Sequence, residues 1–438
     1  MHRQGIAILF VYMAAICAGI SGEKAAIGIS GLSSFEFGQM VKGSYQIKRG
    51  LNNDHTWMSR MQAQALVDAE VNEHVQVLIG LEGELFGSFN REYLFPLTNM
   101  VHTNAYPTQA EGIVSAWSGT SHPLALHVGY FPYKYNEDAQ NLGEYLLRSR
   151  PYPQIVITEF DFALARRMGI WLNSSLGSML EQDFMIVSAT DYFPIWDFSV
   201  VYNGNLNLLN KFLHIGAGVN FNRMLAVDNT WTNPRYGDSD PRRSGNKKFY
   251  IENGDTLIYP LSGIQTIGRF GIHPQALLKW NFLGEKDLKL YAEAAILGLK
   301  NYPMSSDSLF GYENILDRIP IMFGFNFPTF KILDVCALEA EHWSNPYPNS
   351  LEDVLRWNQA SPGVIHNGRY TKSDYKNDGW KWSIYARKML LNSFHIIFQA
   401  ACDHSFTRSL TIEDQDFEEA YRKKPDQWYW MLKFMFTF

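Results

Sequence analysis

This chain of 438 residues has no stretch after its first residues that could cross a bilayer as a helix. After residue 22 no run approaches the ~18 apolar residues that such a helix needs. Charged residues are sparse at 19%. There is no P-loop, no G-x-G-x-x-G after a strand, no Cys-x-x-Cys and no His-Glu-x-x-His, so the usual nucleotide and metal chemistries have no anchor. The 12 histidines are scattered without ligand spacing, and neither a metal nor a cofactor is expected. Cysteine is nearly absent too, with three in the whole chain. Cys336 and Cys402 fall on candidate strands that are not neighbours. Next-but-one strands lie roughly 9–10 Å apart, too far for a disulfide.

What is present begins with a leader-like segment. A short basic start (His2, Arg3) precedes an apolar core from Ile6 to Ile16 and the small residues Ala18, Gly19 and Ser21. The expectation is a secretory signal over residues 1–21 and a single domain over 22–438. Without the leader, 37 basic residues face 44 acidic ones, a net charge of about −7. That excess of acid argues against a nucleic-acid partner. Aromatic residues reach 15%, a high share for so few charges.

The last ten residues show where those aromatics go. Trp428, Trp430, Leu432, Phe434, Phe436 and Phe438 take every second position, and Tyr429, Met431, Lys433, Met435 and Thr437 take the others. A strand puts the first six on one face. Period-two alternation recurs at 27–47, 57–71, 75–86, 110–118, 123–131, 156–170, 183–190 and 196–204. It continues at 212–225, 263–282, 287–299, 318–327, 331–342, 378–390, 393–406 and 427–438. The connections sort by length. Turns at 72–74, 118–122, 283–286, 328–330 and 391–392 alternate with long gaps at 87–109, 132–155, 226–262, 300–317, 343–377 and 407–426. Short turns at one end and long loops at the other are the pattern of a membrane barrel.

On these residues the chain resembles a bacterial outer-membrane β-barrel, whose last strand alternates in this way and ends in Phe. The expected fold is all-β, a transmembrane antiparallel up-and-down barrel of about sixteen strands. The resemblance implies a Gram-negative outer membrane and contact with its lipid and lipopolysaccharide. It also implies assembly by machinery that reads the terminal row from Trp428 to Phe438. Homo-oligomerisation stays open.

Charges that alternate with apolar residues must face away from lipid, since Arg or Lys on the lipid face costs about 2–4 kcal/mol at the midplane. The expected pore-lining set is Arg60, Asp68, Glu70, Glu82, Glu84, Glu159, Asp161, Arg167, Arg269, Glu293, Glu339, Glu341, Arg387 and Asp403. Lys279, Lys289, Lys381 and Lys433 join it. Ten acids against eight bases predict a slight cation preference. The topology resembles that of the general porins, in which the third external loop folds into the lumen. Here that loop offers Tyr135, Glu137, Asp138, Glu144, Tyr145, Arg148 and Arg150 as a candidate constriction. The porins' own loop motif is absent, so the position of the loop among the strands is the warrant.

His342-Trp343-Ser344-Asn345 resembles the His-x-Ser-Asn stretch of outer-membrane phospholipases, where a Ser–His pair attacks an ester. Pro346 stands where that family has Gly, and Arg356 where it has the orienting Asn. The sequence therefore predicts no catalytic residue and no enzyme. It predicts a porin-like channel for passive diffusion of small hydrophilic solutes. The alternatives are a lipid esterase using His342 and Ser344, or a non-conducting barrel whose outer loops bind surfaces.

Overall fold

The alternating segments become strands in the computed structural model. It describes residues 26–42, 46–48, 51–52, 55, 57–89, 101–117, 123–146, 165–189, 197–226, 249–252, 255–258, 264–299, 314–343, 379–402 and 426–438. In chain order these hold β1 (Ala26–Met40), β2 (Gln46–Lys48), β3 (Leu51–Asn52), β4 (Trp57–Asn72), β5 (Val75–Phe89), β6 (Val101–Ala116) and β7 (Leu124–Tyr133). Next come β8 (Ala165–Leu176), β9 (Leu180–Ala189), β10 (Asp197–Leu208), β11 (Leu213–Ala226), β12 (Phe249–Glu252), β13 (Asp255–Ile258) and β14 (Ile264–Ile272). The last six are β15 (Leu290–Leu297), β16 (Pro320–Asn326), β17 (Val335–Trp343), β18 (Trp380–Leu390), β19 (Phe394–Cys402) and β20 (Tyr429–Thr437).

Sixteen of them close into one antiparallel barrel, each beside its chain neighbour, with β1 against β20 as the seam. The pairs β2–β3 and β12–β13 form small separate ribbons. Closure pairs both edges of every barrel strand within the protein, which a backbone in hydrocarbon requires. No described helix is long and apolar enough to cross a membrane; the strands do the crossing.

The outward face confirms it. Ile27, Ile29, Met61, Phe323 and Phe436 are each more than half exposed, and Val128, Ile170, Phe184 and Phe270 continue the belt around the barrel. Leaving such side chains in water forfeits about 1.5–3 kcal/mol apiece, so this surface fits lipid. Rings gather at both rims. At the loop end Trp57 meets Trp430 edge-on, 5.8 Å between centroids. At the turn end Phe394 meets Phe436 at 4.6 Å. This is the architecture of an outer-membrane-type β-barrel.

Of the segment 156–170, Ala165 onward is strand, and 156–164 lie outside the described residues. Two strand expectations are corrected. The segment 263–282 stops at Ile272, because Pro274 lacks the N–H a ladder needs and starts a one-turn helix, α1 (Gln275–Leu278). Lys279 caps that helix in the left-handed region and is exposed in a turn, so it does not face the lumen. The connection there runs over 273–289 rather than 283–286. The strand expected at 110–118 starts at Val101 and passes through Pro107, whose missing donor falls at a register shift beside Gly80 and Leu81. Loop lengths sort as expected, apart from the brief outer connection 190–196 and the long turn-end connection 273–289.

Candidate functional site

Residues 134–146, between β7 and β8, turn back into the barrel, and from Ala139 to Leu146 every one is buried. The segment is closed on itself. Glu144 accepts from the backbone N–H of Tyr135 (3.5 Å) and of Asn136 (2.5 Å), and the Lys134 ammonium donates to the Ala139 carbonyl at 2.6 Å. Gly143 has φ +86°, and a Cβ there would run into the Met322 side chain. Only glycine fits so tight a left-handed turn against the wall.

Three wall glutamates hold the loop. Glu339 on β17 accepts from the consecutive N–H groups of Gln140 (2.6 Å), Asn141 (2.8 Å) and Leu142 (2.8 Å). Tyr291 donates to the same carboxylate at 2.9 Å. Glu293 on β15 accepts from the Tyr135 hydroxyl (2.5 Å), the Asn136 amide (2.8 Å) and the Tyr145 N–H (3.1 Å). Glu341 accepts from the Tyr145 hydroxyl at 2.8 Å. Around these polar ties Tyr135, Leu142, Tyr145 and Leu146 join Phe131, Met322 and Trp343 in one apolar cluster. Backbone donors on buried carboxylates are charge-assisted, each contributing about 1.5–3 kcal/mol.

Asp138 ends the loop's polar rim with an ion pair to Lys289 (2.7 Å) and a hydrogen bond with the His273 ring (2.6 Å). Burial alone raises this carboxyl, but the His273 hydrogen bond and the Lys289 charge override it and hold it well below the usual carboxylate range.

The opposite wall carries a second charged cluster. Arg60 lies 3.2 Å from Glu84, 3.4 Å from Glu82 and 3.9 Å from Glu36. Lys433 on β20 reaches Glu36 at 3.2 Å, and Arg166 on β8 reaches Glu82 at 3.7 Å. Tyr106 donates to Glu82 as well.

On the turn side of the loop lies a cavity of about 850 Å³. Loop residues Tyr135 to Asp138 line it, together with Trp171, Asp183, Asn203, Arg269 and Lys286 among others.

Of the expected lumen residues, Arg60, Glu82, Glu84, Arg167, Glu293, Glu339 and Glu341 are buried on the inner face. Asp68, Arg269 and Arg387 share that face by register, as does Glu70, exposed near the turn end. Asp68 accepts from Gln76 at 2.8 Å. Glu159, Asp161 and Asp403 lie outside the described residues. Of the expected constriction, Tyr135, Asp138, Glu144 and Tyr145 are brought together. Glu137 is exposed at the cavity, and Arg148 and Arg150 lie outside the described residues. In the terminal row, Trp430, Leu432, Phe434 and Phe436 point outward, opposite the buried Tyr429, Met431, Lys433 and Met435.

His342 is on the outer face with Cys336, Leu338 and Ala340, its ring 4.7 Å from that of Trp380. Ser344, Pro346 and Arg356 lie outside the described residues. No disulfide joins Cys336 and Cys402. Among the described residues no three metal-ligating side chains converge.

Sequence reading missed Tyr291, Asp183 and the Asn203–Asn205–Asn207 row. The asparagines did leave a signal, at period two within one strand.

No protein-family model and no curated protein matches the chain. Among solved structures it is similar to a triple mutant of Rhodopseudomonas blastica porin, with TM-score 0.42 and 8% identity over 94% of this chain and 100% of that one. It is also similar to OprB of Pseudomonas putida at low pH, with TM-score 0.44 and 8% identity over 94% of this chain and 92% of that one.

Proposed function

We propose that this barrel is an outer-membrane porin-like channel for passive diffusion of small hydrophilic solutes, with residues 134–146 as its constriction. Glu339 carries the reading: a buried carboxylate spends three bonds on consecutive backbone N–H groups of a loop from across the lumen. A surface loop has no need of such an anchor. Sixteen strands enclose more width than side chains alone fill, and here the loop narrows what remains. Charged and amide groups line the cavity below it, as suits a wet path. On this reading 22–438 is one barrel domain behind a removed leader. It sits in lipid and lipopolysaccharide, and the assembly machinery recognises it through its terminal row.

One observation favours a narrower version. A second apolar cluster, including Met40, Val335, Tyr385 and Met431, also faces inward. It leaves less free width, and a small size limit follows. The esterase alternative gains nothing comparable, for His342 packs on a tryptophan instead of an acid or amide partner among the described residues.

Liposome swelling with the purified protein tests the channel. Uptake of glycerol and small sugars that declines steeply with solute size is the expected result. Swelling no faster than in protein-free vesicles would leave the non-conducting barrel as the better account.

A further inference from the structure

The cavity on the turn side has two chemically different walls. On β8 to β10 the wall is built to accept hydrogen bonds. Asp183 takes bonds from the Tyr133 hydroxyl (2.6 Å), the Trp171 ring N–H (2.8 Å) and the Asn173 amide (2.8 Å). Glu181 takes them from Asn207 (3.1 Å) and Asn205 (3.5 Å). An ionised carboxylate can only accept. The amide nitrogens of Asn173 and Asn205 must therefore face these acids, which leaves their carbonyl oxygens for the cavity.

The β11 to β15 side is built to donate. Lys211, Arg269, Lys286 and Lys289 line it. Lys289 is taken by Asp138, and so is His273. Lys211, Arg269 and Lys286 pair with no carboxylate among the described residues, although Arg269 rests over the Tyr135 ring at 5.4 Å. Lys286 is short of counter-charge. Burial first, then Arg387, Lys289 and Lys134, push its ammonium below the usual lysine range. The remaining acids that line the cavity, Glu137 and Glu285, are exposed to solvent.

We propose that this cavity is a binding site for a small carboxylate that carries hydroxyl or ammonium donors at its far end, a hydroxy acid or an amino acid. The carboxylate sits against Arg269 and Lys286, where a planar guanidinium offers two parallel donors. The donor end reaches the Asn173 and Asn205 oxygens beside Asp183 and Glu181. The inference rests on the channel reading for the ligand's passage past the loop, but its binding chemistry stands apart from conduction.

Isothermal titration of the full-length barrel in detergent with gluconate, serine, glucose and acetate tests it, with single-channel recording alongside. Gluconate or serine should bind at least about tenfold more tightly than both glucose and acetate, because glucose lacks the carboxylate end and acetate lacks the donor end. Arg269→Gln and Lys286→Gln should each weaken that binding about tenfold. Lys279→Gln, on the exposed turn, should leave it unchanged. If either cavity variant fails to fold, the four-ligand ranking on the wild-type protein still decides. Glucose or acetate binding as tightly as the two-ended solutes overturns the proposal, as do folded cavity variants that bind like wild type and the absence of binding by all four. A protein that binds but never conducts overturns the channel reading and leaves this one standing. Conduction without binding does the reverse.

Discussion

At the scale of single residues, Glu339 shows how a lumen charge becomes a structural tie. Its inward direction follows from the alternation of Val335, Ala337, Glu339 and Glu341 with Cys336, Leu338 and Ala340, and the sequence shows that much. Its partners, the N–H groups of Gln140 to Leu142, lie so far off in the chain that no local pattern announces them. Glu339→Ala leaves four buried donors unmet, three backbone N–H groups and the Tyr291 hydroxyl, and should cost about 3 kcal/mol or more. Urea unfolding in detergent, followed by tryptophan fluorescence, measures it, and a loss under about 0.5 kcal/mol would show the loop held by its apolar packing alone. Asp138 gives a pH signature. Its folded pKa is depressed, so its stabilising contribution is present above the ordinary carboxylate value near ~4 and fades as pH falls toward the folded value. Asp138→Asn should therefore remove part of the acid-side loss of stability below about pH 4. An unchanged acid limb in the same unfolding assay would place the Lys289 and His273 contacts outside the stability balance.

At the scale of elements, all sixteen barrel strands were legible, because lipid outside and polar groups inside impose period two on each. The two boundary errors turn on prolines, one a tertiary exception to a local rule and one the rule itself. Pro107 sits inside β6 since a register shift absorbs its missing donor. Pro274, by contrast, ends β14 as a proline ordinarily does. The inward fold of residues 134–146 was suggested only by their place among the loops. The glycine turn at Gly143 and the Glu144 staple that shape it are geometric facts with no sequence motif behind them. Strand β20 carries the element-scale prediction. Phe438 exchanges backbone bonds with Gly31, at 2.9 and 3.0 Å, and locks the seam. Its ring faces outward at 72% exposure, where transfer to lipid contributes on the order of 2 kcal/mol. Phe438→Asp should lower the yield of folded, heat-modifiable protein in the outer membrane. A wild-type yield would show that the terminal row is not an assembly signal.

At the scale of the molecule, an apolar belt surrounds an interior of charged, amide and apolar groups, and among the described residues the loop 134–146 divides it. The Arg60 cluster lies on one wall and the glutamate anchors on another, with the cavity on the turn side. On the proposed channel reading the division decides how the barrel conducts, and the sequence could not supply it, since it depends on which strands end up facing each other across the tube. Single-channel conductance of the wild-type barrel, compared with a variant whose residues 136–145 are replaced by a short Gly/Ser link, tests this division most directly. The account predicts small, steady openings in the wild type and a conductance several-fold larger in the shortened variant, with the size limit for solutes rising in step. Equal conductance in the two folded proteins would contradict it, because the loop would then not be what narrows the channel.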